Sequence, residues 1–115
     1  METILQDELY AVAYDPAAGA VYLKGTLRLN GAEEYAPIVS LLGRALDVHS
    51  QMTLDLRELE FLNSSGIATL SRFVIDARNR KTVALTILGT KQVAWQTKSL
   101  ANLQRLMPAL VMDIQ

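Results

Sequence analysis

The sequence predicts an α/β domain: a mixed, largely parallel sheet of about five strands that opens with a hairpin and is covered by about three helices. Three observations predict it. Short apolar runs alternate with amphipathic stretches along the whole chain, the pattern of parallel strands joined by right-handed helical crossovers. Turn residues separate two early apolar runs, which marks a hairpin. At 115 residues without a linker or an internal repeat, the chain suits one domain spanning 1–115.

Leu9 to Tyr14 reads as a strand, Asp15, Pro16 and Gly19 supply turn chemistry, and Val21 to Leu29 reads as the second arm of the hairpin. Asn30 and Glu33 resemble a capping pair, and Tyr35, Ile38, Leu42 and Ala45 fall at helical spacing. Pro37 predicts that this helix either starts near Tyr35 or kinks early. Met52 to Leu56 reads as a buried strand that leads into Phe61-Leu62-Asn63-Ser64-Ser65-Gly66-Ile67. On a helical wheel Ile67, Leu70, Phe73, Val74 and Ala77 then share one side, which is the core side. Val83 to Leu88 is the next strand. A loop with Lys91 and Trp95 follows, then Leu100, Leu103 and Leu106 at spacing three, a stop at Pro108, and a closing strand from Ala109 to Ile114.

Composition excludes several classes of function. Half of the residues are apolar and a fifth are charged, as in an ordinary folded domain. There is no cysteine, which removes disulfides, thiolate metal sites and a cysteine nucleophile. A net charge of −1 argues against nucleic acid as a partner. The first ten residues carry acids where a signal peptide carries bases, and no run approaches the ~20 apolar residues of a membrane span. A cytoplasmic location is the expectation. Residues 1–60 hold ten acids and four bases and residues 61–115 two acids and seven bases, charges that an interleaved fold would mix.

The segment around Asn63-Ser64-Ser65-Gly66 is the candidate site. Asn63 or Ser64 can cap free N–H groups at the start of a helix. Three small polar residues and a glycine in a row also keep bulk low around a hydroxyl at a helix tip, so a cap and a functional hydroxyl both remain open. The positive end of a helix tolerates a phosphate, and adding one brings about −1.5 to −2 charges. A partner docked over the tip would then meet misplaced charge, so a switch needs no refolding. Ala68, Ser71, Arg72, Ile75 and Asn79 lie on the Ser64 side of the wheel, either as a face for a partner or as an ordinary solvated face.

Asp55-Leu56 followed by Phe61-Leu62-Asn63-Ser64-Ser65-Gly66-Ile67 and an amphipathic helix resembles the STAS domain, especially the bacterial anti-sigma-factor antagonists, over almost the whole chain. The resemblance implies a phosphoprotein in a partner switch. A serine kinase that is also the anti-sigma factor would phosphorylate Ser64, and a metal-dependent serine phosphatase would reset it. The unphosphorylated form would bind the kinase and the phosphorylated form release it, so regulating transcription. Asn63, Ser65 and Gly66 would shape the loop, and Ala68, Ser71, Arg72 and Ile75 would bind the partner. The family commonly carries Asp where this chain has Asn63, and Asn keeps the shape and the capping ability. The same family also supplies fixed accessory subunits of transport or signalling assemblies, which is the alternative expectation.

Enzyme chemistry finds no residues, so no catalytic residue, metal site or cofactor is expected. His49 is the only histidine, and its place near the end of the first helix points to a solvated or helix-terminal role. The loop lacks the glycine two residues before a serine nucleophile. Glu33 with Glu34 and Glu58 with Glu60 are solvated pairs, not a metal cluster, and no glycine-rich phosphate loop is present. Trp95 is either a contact residue or folded onto the core. Arg72, Arg78, Arg80 and Lys81 either attract an acidic partner or solvate a helix end.

Overall fold

The computed structural model describes residues 2–115. Seven strands and three helices follow in the order β1 (Glu2–Gln6), β2 (Tyr10–Asp15), β3 (Ala20–Leu27), α1 (Gly31–Val48), β4 (Gln51–Asp55), β5 (Leu59–Leu62), α2 (Ser64–Arg80), β6 (Ala84–Gly89), α3 (Ala94–Leu106) and β7 (Val111–Ile114). The sheet runs β1-β2-β3-β4-β6-β7, with β5 also beside β3. Pairs β1–β2 and β2–β3 are antiparallel and the rest are parallel, so the α/β class, the hairpin and the parallel remainder are as the sequence predicts.

Two strands add to the five that the pattern marks. Strand β1 is exposed along most of its length and shows no buried face to read. Strand β5 is four residues long and reaches the sheet through a change of partner. The first half of β3 pairs with β4 (Ala20–Thr53 to Tyr22–Asp55), and the second half pairs with β5 (Gly25–Leu59 to Leu27–Leu62). Strands β4 and β5 thus continue one another along the same edge of β3. Gly25 sits where the partner changes, with φ +88°; its N–H bonds the Glu58 carbonyl at 2.9 Å, and a Cβ there would collide with the Leu9 carbonyl. Only glycine fits both demands.

The chain turns between β4 and β5 on the buried Asp55. Its carboxylate accepts the Arg57 backbone N–H at 3.0 Å and the Arg57 guanidinium at 2.7–3.2 Å, a local Asx-type bond that fixes the turn without changing the direction of the strand. The polar residues that look like the end of a strand are therefore a turn within a longer one.

One face of the sheet, carrying Val12, Val21, Leu23, Met52, Leu54, Leu85 and Ile87, is buried in a single core with Tyr35, Ile38, Leu42, Leu70, Phe73, Val74 and Leu100 of the helices. The core side of α2 also takes in Gly66 and Thr69, while Ile67 is only half-buried. Helix α1 begins at Gly31 and continues through Pro37, which sits in its second turn and lacks the N–H that would bond Glu33. The Asn30 side chain makes no cap bond. Its backbone N–H instead bonds the Glu34 carboxylate at 2.9 Å, so the capping acid is Glu34 rather than Glu33. His49 is the C-cap of α1, and its ring bonds the Tyr14 hydroxyl at 2.6 Å, tying the helix end to β2. No helix of the described residues is long and apolar enough to cross a membrane.

Candidate functional site

The tip of α2 is built from three directions. Strand β5 delivers the chain to Asn63, whose backbone N–H continues the β3 pairing to the Leu27 carbonyl at 3.2 Å. Helix α1 lies beside α2 in the same direction: Tyr35, near its start, touches Asn63, and Asp47, near its end, pairs with Arg80. Helix α3 holds the turn below. The buried Gln96 donates to the Leu56 carbonyl at 2.6 Å and the Leu59 carbonyl at 3.0 Å and accepts from the Thr90 N–H at 2.8 Å. The indole N–H of Trp95 donates to the carbonyls of Glu60 (3.1 Å) and Leu59 (3.3 Å). Trp95 therefore stands in the first turn of α3, not in a loop, and it clamps β5.

Asn63 is the N-cap, and every group of its side chain is engaged. Oδ1 accepts the Gly66 N–H at 2.9 Å and the Tyr35 hydroxyl at 2.8 Å, while Nδ2 donates to the Leu29 carbonyl at 2.8 Å. Two donors meet the oxygen and one acceptor meets the nitrogen, which fixes the amide orientation. An aspartate has no N–H to offer the Leu29 carbonyl, so the amide meets a demand here that a carboxylate would not.

Ser64 is the first residue of α2 and is exposed. Its hydroxyl makes no hydrogen bond among the described residues, so the cap and the free hydroxyl fall on two adjacent side chains. The first turn of α2 holds no acid, which leaves its positive end uncompensated. Ser65 is half-buried, and its carbonyl accepts the Thr69 hydroxyl at 2.8 Å. Gly66 is buried against the tip's support: a Cβ there would sit 2.7 Å from the Tyr35 hydroxyl and overlap the Leu62 side chain.

The four residues assigned to a partner face lie along α2 in unequal settings. Ala68 and Arg72 are exposed, Ile75 is half-buried, and the half-buried Ser71 bonds the Ile67 carbonyl at 3.0 Å. Arg72 borders the groove between α1 and α2. Arg78 and Arg80 are ties rather than a free basic patch: Arg78 donates to the last carbonyl of α3, on Leu106, and Arg80 pairs with Asp47 and Asp76. Lys81 ends α2 in the left-handed conformation. Sequence reasoning missed Tyr35 as a tip residue, because a buried helical tyrosine reads as core. Phe61, which the motif contains without a role of its own, is 39% exposed beside the tip with the Arg28 guanidinium 4.7 Å from its ring centre, a cation–π distance. No group of three or more potential metal ligands occurs among the described residues.

The fold is found in solved structures. SiaC of Pseudomonas aeruginosa superposes with a TM-score of 0.70 at 17% identity, covering 98% of this chain and 95% of that one. The chain has a STAS-like fold. An anti-sigma factor antagonist from Mycobacterium paratuberculosis gives 0.60 at 19% identity, over 93% and 90%. The structure of the diguanylate cyclase SiaD in complex with its activator SiaC, also from Pseudomonas aeruginosa, gives 0.71 at 14% identity, over 100% and 99%. No family model and no curated protein matches the sequence.

Proposed function

We propose that this STAS-like domain is a non-enzymatic partner-switching regulator whose switch is phosphorylation of Ser64. The observation that carries the reading is the separation of roles at the tip. Asn63 caps α2 while the adjacent Ser64 hydroxyl is exposed and has no bond to lose. A phosphate there meets the uncompensated positive end of the helix and leaves the cap intact. It changes what a partner meets over Ser64, Ala68 and Arg72 by about two negative charges. The unphosphorylated form binds a serine kinase of the anti-sigma-factor type, phosphorylation releases it, and a serine phosphatase restores binding.

A second reading is favoured by the SiaD–SiaC complex, in which a protein of this fold is the activator of a signalling enzyme. There the chain is an accessory subunit of a signalling assembly and does not cycle. Phosphopeptide mass spectrometry on native protein from growing and stressed cells separates the two, using the tryptic segment Glu58 to Arg72. Phosphate on Ser64 whose occupancy changes with condition supports the switch. Its absence under every condition moves the assignment to the fixed subunit. With the kinase in hand, Ser64→Asp abolishes its capture and Ser64→Ala retains it.

A further inference from the structure

The groove between α1 and α2 has a volume of about 210 Å³, with buried Leu42 and Phe73 in its lining. Two features of it have no explanation inside the chain. Val39 on the α1 rim is 46% exposed, an aliphatic knob beside an apolar hollow. One turn further on, Gly43 sits inside α1, where glycine destabilises a helix relative to alanine. A Cβ at Gly43 would meet nothing within 4 Å, so no neighbour in this chain requires the glycine. On the α2 rim, Arg72 makes no ion pair or hydrogen bond among the described residues, and Asp76, one turn beyond it, pairs with Arg80 at 3.1 Å but leaves its side chain 48% exposed, open to a second cation.

The geometry points to a second copy of this chain as the occupant. Knob and hole are four residues apart on α1, and cation and anion are four residues apart on α2; residues at that spacing are helix-surface neighbours about 6 Å apart. The two helices run side by side in the same direction. A two-fold axis lying across both, between Val39 and Gly43 and between Arg72 and Asp76, therefore does two things at once. It sets each Val39 over the Gly43 of the other copy, and it sets each Arg72 against the other copy's Asp76. A self-complementary patch of this kind is the signature of an isologous interface. The proposal does not rest on phosphorylation of Ser64. Because Arg72 belongs to both surfaces, the self-associated form and the complex with a kinase exclude one another.

Sedimentation velocity on the full chain, from about 5 μM to about 500 μM, tests this without any other protein. A monomer–dimer equilibrium that weakens with added salt is expected. Gly43→Leu fills the hole and raises the dimer Kd at least about tenfold, with the thermal melt of the monomer unchanged or higher. Arg72→Asp alone weakens the dimer about as much. Arg72→Asp combined with Asp76→Arg exchanges the charges, leaves Arg80 its Asp47 partner, and returns Kd to within about threefold of the wild type, a recovery that loss of structure cannot give. A monomer at every concentration overturns the proposal and leaves the groove to a partner of different sequence. A dimer indifferent to Gly43→Leu, or one that the charge exchange does not restore, overturns it as well.

Discussion

The hydroxyl of Tyr35 donates a 2.8 Å hydrogen bond to Oδ1 of Asn63, so a residue buried in α1 holds the N-cap of α2. The same oxygen caps the helix through the Gly66 N–H, and a Cβ on Gly66 would press on the same hydroxyl. Tyr35, Asn63 and Gly66 therefore form one unit. The position of the tip bearing Ser64 is tied to the packing between the two helices.

Asn63→Asp tests the match between the amide and its three partners. The variant keeps an acceptor for Gly66 and Tyr35 but sets a carboxylate oxygen against the Leu29 carbonyl, where the native amide donates. Losing a half-buried donor in this way costs about 1 kcal/mol, read as a lower urea midpoint at neutral pH. Protonating the introduced carboxyl restores a donor, so the deficit shrinks as the pH falls toward about 4.

Ser64→Ala and Asn63→Ala part company, although the two residues are neighbours in a run of small polar side chains. Alanine at 63 removes the cap and leaves the Tyr35 hydroxyl only the longer 3.4 Å contact to the Leu27 carbonyl, a loss of about 1–2 kcal/mol. Alanine at 64 removes a hydroxyl with no partner and shifts stability by less than about 0.5 kcal/mol. Equal losses in denaturant titrations would mean that Ser64 shares the capping, and the separation of roles would fail.

Gly66→Ala adds one methyl group where Leu62 and the Tyr35 hydroxyl already stand. Such overpacking costs about 1–3 kcal/mol, and the cost falls on the tip. Amide hydrogen exchange should rise first in the opening turn of α2 and at Asn63, before the core strands respond.

The sequence read the parts of this molecule that rest on period and punctuation. Strands β2, β3, β4, β6 and β7 and the three helices lie within a few residues of their predicted places, since each packs an apolar face against the core. What it could not read depends on contacts between distant segments. Strand β5 exists because β3 changes partners at Gly25, and Leu59–Leu62 alone has no alternation to show it. Trp95 and Gln96 look like loop residues until α3 brings them onto the carbonyls of β5. At the tip, the run from Asn63 to Gly66 announced a helix start, yet the division of labour between Asn63 and Ser64 depends on Tyr35 and on the Leu29 carbonyl, which are 28 and 34 residues away.

Alkaline titration probes the burial of the Tyr35 hydroxyl. Burial raises the Tyr35 phenol above its ordinary value, because the ionised form would lose its water. The folded protein thus keeps this proton at a pH where the unfolded chain has released it. The associated stability is fully present below the ordinary phenol pKa of about 10 and is lost as the pH rises through the folded value. Tyr35→Phe removes the hydroxyl and this dependence together. At pH 8 the variant is less stable than the wild type by about 1–2 kcal/mol. In denaturant melts the gap narrows as the pH rises past about 10; a gap independent of pH across that range would show that Tyr35 ionises no less readily in the fold than in the unfolded chain.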